Sequence, residues 1–155
     1  MDNIIHKFYT AFNNLDAEGM VACYHDDVYF KDPAFGVLTG IKAKNMWRML
    51  VESQKNKDFS VYFDSIKLDN EKGSAHWEAK YTFSQTGRPV HNIMEANFEI
   101  KEGQIIKHVD HFNLHRWAKQ AFGFKGALIG GTGYFKNKLQ QRTNKLLAQY
   151  EKKLK

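Results

Sequence analysis

At 155 residues, with 43% apolar and 26% charged side chains, the chain has the size and composition of one globular domain, which excludes disordered and fibrous classes. Its net charge of +6 is local: residues 1–133 balance their charges, and residues 134–155 carry seven Lys/Arg against Glu151. No apolar run approaches the ~20 residues a membrane helix needs, the N-terminus lacks a secretory pattern, and Cys23 has no second cysteine to bond, so a cytoplasmic protein in a reducing compartment is expected.

Taken in chain order, Ile4, Ile5, Phe8, Tyr9 and Phe12 recur at helical spacing and predict an amphipathic first helix ending near Asn13-Asn14. Asp16 suits the N-cap of a short second helix, Met20 to Tyr24, with Cys23 in it as a buried, inert thiol. A strand then alternates to Asp32, with Val28 and Phe30 on the same side as Asp32, and Pro33 stops the ladder. A turn over Gly36 to Gly40 leads to a helix at about 41–54 presenting Ile41, Met46, Trp47, Leu50 and Val51.

Beyond Asn56-Lys57-Asp58 the period changes to two. Phe59, Val61 and Phe63 mark one strand, and Ala75, Trp77, Ala79, Tyr81 and Phe83 the next. Asn92, Met94, Ala96, Phe98 and Ile100 form a third inward row. The last strand, 104–114, sets Ile106, His108, Asp110, Phe112 and Leu114 on one face. Long strands after a helical first half make an α+β domain rather than a βαβ repeat. Trp117, Ala118, Ala121 and Phe122 then predict a short helix ending at Gly123. Residues 123–133 read as a glycine-rich hinge or flap, since no Lys-Ser/Thr follows the glycines as a phosphate loop requires. Residues 134–155 form a basic amphipathic helix with the stripe Phe135, Leu139, Leu146, Leu147, Tyr150 and Leu154. Its packing on the protein's own body is favoured over contact with nucleic acid or membrane.

Three polar residues stand among inward apolar ones. Asp32 either bonds the amides of the following turn or sits in an apolar pocket as a poised base. His108 and Asp110 are neighbours on one face, about 7 Å apart along the strand. They form either a mutually satisfied structural pair or an acid/base pair. His91 and Glu95 fall on the opposite face from Met94 and Ala96. His111 points away from His108, so His108, His111 and His115 lack the spacing of a metal site and none is expected.

The run Asp16-Ala17-Glu18-Gly19-Met20-Val21-Ala22-Cys23-Tyr24-His25-Asp26-Asp27 into Lys31-Asp32-Pro33, followed by a helix and four long strands, resembles the nuclear transport factor 2-like superfamily. Within it, the chain looks most like the SnoaL-like and ketosteroid isomerase-like branch. The resemblance implies a cone-shaped curved antiparallel sheet wrapped around N-terminal helices, with an apolar pocket, over residues 1–122. The extra C-terminal helix lies outside it. It implies Asp32 as a proton-shuttling base, and Asp110 at the position of the catalytic aspartate of SnoaL-like cyclases, beside His108. Phe8, and Met94 or Ala96, stand where ketosteroid isomerases carry their oxyanion donors. No inward arginine is found to complete the Asp-Arg-Asp set of a limonene epoxide hydrolase.

Asp32, His108 and Asp110 are therefore the candidate catalytic residues, and Phe8, Phe30, Trp47, Asn92, Met94 and Phe112 the expected pocket lining. The implied function is cofactor-independent isomerase, cyclase or hydrolase chemistry on a small apolar carbonyl-type molecule. A non-catalytic module binding an apolar ligand is the alternative. A homodimer through the outer sheet face is expected from the same resemblance.

Overall fold

The computed structural model describes residues 3–154. Helices α1 (Ile4–Asn13) and α2 (Ala17–Ala22) lead into strands β1 (Tyr24–Asp32) and β2 (Gly36–Thr39), then helix α3 (Ile41–Gln54). Strands β3 (Ser60–Asp69), β4 (Lys72–Phe83), β5 (Arg88–Lys101) and β6 (Gln104–His111) follow. Helices α4 (Leu114–Phe122), α5 (Phe124–Ile129) and α6 (Gly133–Lys153) complete the order. The strands form one curved sheet in the order β2-β1-β6-β5-β4-β3, antiparallel except that β1 runs parallel to β6. The fold is the expected α+β one.

Local chemistry sets the helix starts. The Asn3 side chain accepts from His6 N, and Asp16 Oδ1 accepts from Gly19 N, each satisfying an otherwise orphaned amide. Helix α1 then buries Ile5, Phe8, Tyr9 and Phe12 beneath the sheet. The inward rows of β4 (Ala75, Trp77, Ala79) and β5 (Asn92, Met94, Ala96, Phe98) are buried as alternation requires.

Several boundaries differ from the expected ones. The second helix stops at Ala22, and Tyr24, expected in it, opens β1 as a fully buried residue. Residues 36–39, expected as a turn, pair with β1 as β2, with Asp32 opposite Gly36. The last strand ends at His111, and Leu114 begins α4. Its inward parity is also broken. Glu99 pairs with Lys107 but Ile100 pairs with Ile105, so Ile106 is a bulge residue and Ile105 is the buried one. Ile41, expected on the core face of α3, is exposed.

The segment expected as a hinge or flap is mostly helical. Gly123, at φ 68°, reverses the chain, and α5 folds back on α4. A Cβ on Gly126 would lie 1.9 Å from the Ala118 carbonyl oxygen, so only glycine permits this backbone contact. Val90, Trp117, Ala118, Ala121 and Phe135 form a second small core there. Helix α6 buries Phe135 and Leu147 while leaving Leu146 and Leu154 exposed. Among the described residues no helix is long and apolar enough to cross a membrane.

Candidate functional site

The parallel pairing of β1 with β6 creates the site. Its register sets Phe30 beside His108 and Lys31 beside Val109, and the next residues on the two strands, Asp32 and Asp110, interact through their charges. Both carboxylates line a cavity of about 640 Å³, whose apolar lining includes Phe12, Trp47, Trp77, Met94 and Phe112. Such a volume suits a small-molecule ligand.

Asp32 Oδ1 accepts from the backbone N–H groups of Ala34 (3.0 Å) and Phe35 (2.7 Å). Pro33 forces this turn by ending the ladder. The residue as a whole is half-buried, yet its carboxyl group is deeply so. Burial pushes its pKa up to about 7; the two amides act against that shift and the neighbouring charge of Asp110 adds to it. Asp32 thus caps the turn with one oxygen, as the first of its two readings expects, while burial raises its pKa.

Asp110 is buried, and its Oδ1 accepts from Trp77 Nε1–H (3.0 Å) and His108 Nε2–H (2.9 Å). On the other side of the imidazole, Tyr24 Oη–H donates to His108 Nδ1 (2.7 Å) and accepts from Trp47 Nε1–H (2.8 Å). With the proton on Nε2, every donor in this chain finds an acceptor. With it on Nδ1 the Tyr24 hydroxyl proton would be stranded, at about 1–3 kcal/mol, so we assign the Nε2–H tautomer. Burial holds the Tyr24 phenol well above its ordinary range, which keeps it a donor.

His108 does not reach the cavity. It is fully buried behind Asp110, boxed by the rings of Phe98 (4.4 Å between centroids), Phe30 (5.3 Å), Phe8 (5.5 Å) and Trp47 (6.2 Å). Strand alternation places 108 and 110 on one face but not at one depth. Phe8 and Phe30, expected in the lining, form the layer beneath it, and Phe8 stacks on Tyr24. Trp47, Asn92, Met94 and Phe112 do line the cavity.

Two further polar groups face in. Asn92 is buried, and its Nδ2 contacts the Met94 thioether at 3.7 Å, a weak acceptor. Tyr81 Oη accepts from Trp117 Nε1–H (2.8 Å) and retains its own proton to donate. Tyr24, Tyr81 and Trp77 went unassigned from sequence. Trp77 and Tyr81 lie on the inward row of β4, so parity marked them, whereas Tyr24 was hidden by the apparent continuation of helix α2.

Helix α6 supplies the remaining wall, through Leu139, Arg142, Thr143, Leu146, Gln149 and Tyr150. It is latched onto the turn after Asp32. Gln140 Nε2 donates to Pro33 O (3.1 Å), Thr143 Oγ1 to Ala34 O (2.8 Å) and Asn144 Nδ2 to Phe35 O (2.9 Å). Glu151 pairs with Lys42 and accepts from Asn45. Residues 123–133 contribute nothing to the lining. Among the described residues no cluster of His, Cys, Asp and Glu is arranged to hold a metal ion.

Comparison with known proteins identifies the family and the fold. A model of the SnoaL-like domain matches residues 5–108. A solved protein from Xanthomonas campestris pv. campestris, provisionally named a polyketide cyclase, is 18% identical, with a TM-score of 0.61 over 76% of this chain and 93% of that one. TerC, crystallised with polyporic acid, is 14% identical, with a TM-score of 0.65 over 76% and 95%. An epoxide hydrolase of the LEH-like type from M. tuberculosis is 20% identical, with a TM-score of 0.58 over 82% and 88%. No curated protein matches the sequence significantly.

Proposed function

The chain belongs to the SnoaL-like domain family, and from that footing we propose that it is a cofactor-independent acid/base enzyme acting on a small, largely apolar carbonyl compound. The observation that carries this reading is the pair of interacting carboxylates, Asp32 and Asp110, among the aromatic and aliphatic side chains of one cavity.

Asp32 is the proton-transfer residue. A carboxylate titrating near 7 is matched to neutral pH: it is ionised often enough to take a proton from the carbon beside a carbonyl, and basic enough to hold it. Its two amide bonds fix Oδ1, leaving Oδ2 for the substrate. The enolate oxygen that develops needs donors, and the Asn92 amide and the Tyr81 hydroxyl are two that line the cavity. Asp110, held by Trp77 and His108, adds to the upward shift of Asp32 and so helps to keep it basic. His108 and Tyr24 position Asp110 and do not touch the substrate.

The test is deuterium uptake at the α-carbon of a cyclic aryl ketone such as tetralone in heavy water, followed by NMR. Uptake faster than in buffer, reduced to background by Asp32→Asn, is the expected result. Uptake no faster than buffer, with an apolar dye still entering the cavity, would establish a non-catalytic binding module instead.

A further inference from the structure

We propose that helix α6 is the specificity wall of this cavity, and that Arg142 on it selects ligands bearing an anionic group at the cavity mouth. The inference rests on the reading of the cavity as a ligand site. It concerns a part of the chain beyond the residues matched by the SnoaL-like domain.

The lining residues of α6 follow one helical stripe: Leu139, Arg142, Leu146, Gln149, Tyr150 and Lys153. This stripe shares Leu139, Leu146 and Tyr150 with the apolar one, and the buried Leu147 lies to one side of it. The exposed lining residues mark the mouth of the cavity. They are Ser53 at the end of α3, Thr82, Ser84 and Gln85 at the end of β4, and Arg142, Leu146, Gln149 and Lys153 on α6. The mouth is therefore cationic, while the acids of the lining, Asp32 and Asp110, lie at the floor.

Arg142 is held in place. With its amide oxygen turned toward the guanidinium, Gln85 accepts from Arg142 Nε at 2.8 Å and from Nη2. That partner is neutral, and among the described residues no carboxylate forms an ion pair with Arg142 or Lys153. Glu52, next to Ser53 of this rim, interacts with the Tyr150 hydroxyl. Gln140, Thr143 and Asn144, which flank Arg142, are the residues that bond Pro33, Ala34 and Phe35. The guanidinium is thus fixed relative to Asp32 through one turn of helix and three hydrogen bonds. A planar fork with an uncompensated charge at a fixed distance from the reacting group suits a carboxylate, sulfonate or similar oxyanion. Lys153, about three turns along α6, is too far to share the same small group and adds only to the attracting field.

The test compares two dyes of the same aromatic skeleton, anionic anilinonaphthalene sulfonate and neutral phenylnaphthylamine, by fluorescence titration. The protein should bind the sulfonate about tenfold more tightly than the neutral dye. Arg142→Gln should abolish that preference without weakening the neutral dye, and Arg142→Lys should restore part of it. Leu50→Trp, which narrows the cavity, should weaken both and so locate them. If the preference survives Arg142→Gln, or if Leu50→Trp weakens only the neutral dye, the inference fails and the cavity reading stands. If neither dye binds, the reading of the cavity fails and the inference with it.

Discussion

Asp32 illustrates how one residue can serve fold and chemistry at a cost that is measurable. Its carboxyl accepts two amides, which favours the anion, yet burial outweighs them and leaves the group titrating at about 7. A carboxyl whose folded pKa lies above its ordinary 3.8 stabilises the protein fully below that value, and this contribution is lost as pH rises through 7. Asp32→Asn keeps the Oδ1 acceptor and removes the ionisation. It should leave the melting temperature unchanged near pH 4 and raise it by about 3–8 °C at pH 8, measured by calorimetry. A variant less stable at both pH values would show that the carboxyl is held for structure alone. Tyr24→Phe makes a complementary test. It strips the donor from His108 Nδ1 and the acceptor from Trp47, and should cost about 1–3 kcal/mol in a denaturant titration.

At the scale of elements, the outer and inner faces of the sheet follow different chemistry. The outer face carries an ionic chain in which Glu78 bridges His91 Nε2 (2.6 Å) and His76 Nε2 (2.7 Å), and Glu95 meets His76 Nδ1 (2.5 Å). The hydrogen bonds to Glu78 and then Glu95 raise the His76 pKa above its ordinary range. That pairing stabilises the sheet fully below about 6.5 and is lost as pH rises through the raised value. Glu78→Gln should therefore lower the His76 titration midpoint in an NMR experiment and cost only about 0.5 kcal/mol at pH 6, because the group is near the surface. The junction of α4 and α5 is less forgiving. Gly126→Ala places a methyl against the Ala118 carbonyl, and loss of several degrees in melting temperature, with α5 displaced, is the expected outcome.

For the whole molecule, α6 is the element that turns a cone into a closed site. It buries Phe135 and Leu147, each worth about 1.5–3 kcal/mol, and latches the turn that holds Asp32. Removing residues 134–155 should lower the melting temperature by about 10 °C and weaken binding of the neutral dye severalfold. A truncated protein with unchanged stability and dye affinity would mean that α6 is no part of the site.

Residue patterns alone settled the class of the fold and the floor of the site. Alternation along β4, β5 and the end of β1 depends only on which side chains can be buried, so Trp77, Asn92, Met94 and Asp32 were legible as inward residues. Helical spacing likewise announced α1, α3 and α6. Depth and partnership were not legible, because they arise from contacts distant in sequence. The bulge at Ile106 reset the parity of β6, and the parallel pairing of β1 with β6 brought Asp32 to Asp110 across 77 intervening positions. Only the packed structure placed His108 behind Asp110 rather than in the cavity, moved Tyr24 from helix to strand, and laid Arg142 over the mouth. Periodicity reports which face of an element is buried; what that face meets depends on how the elements close on one another.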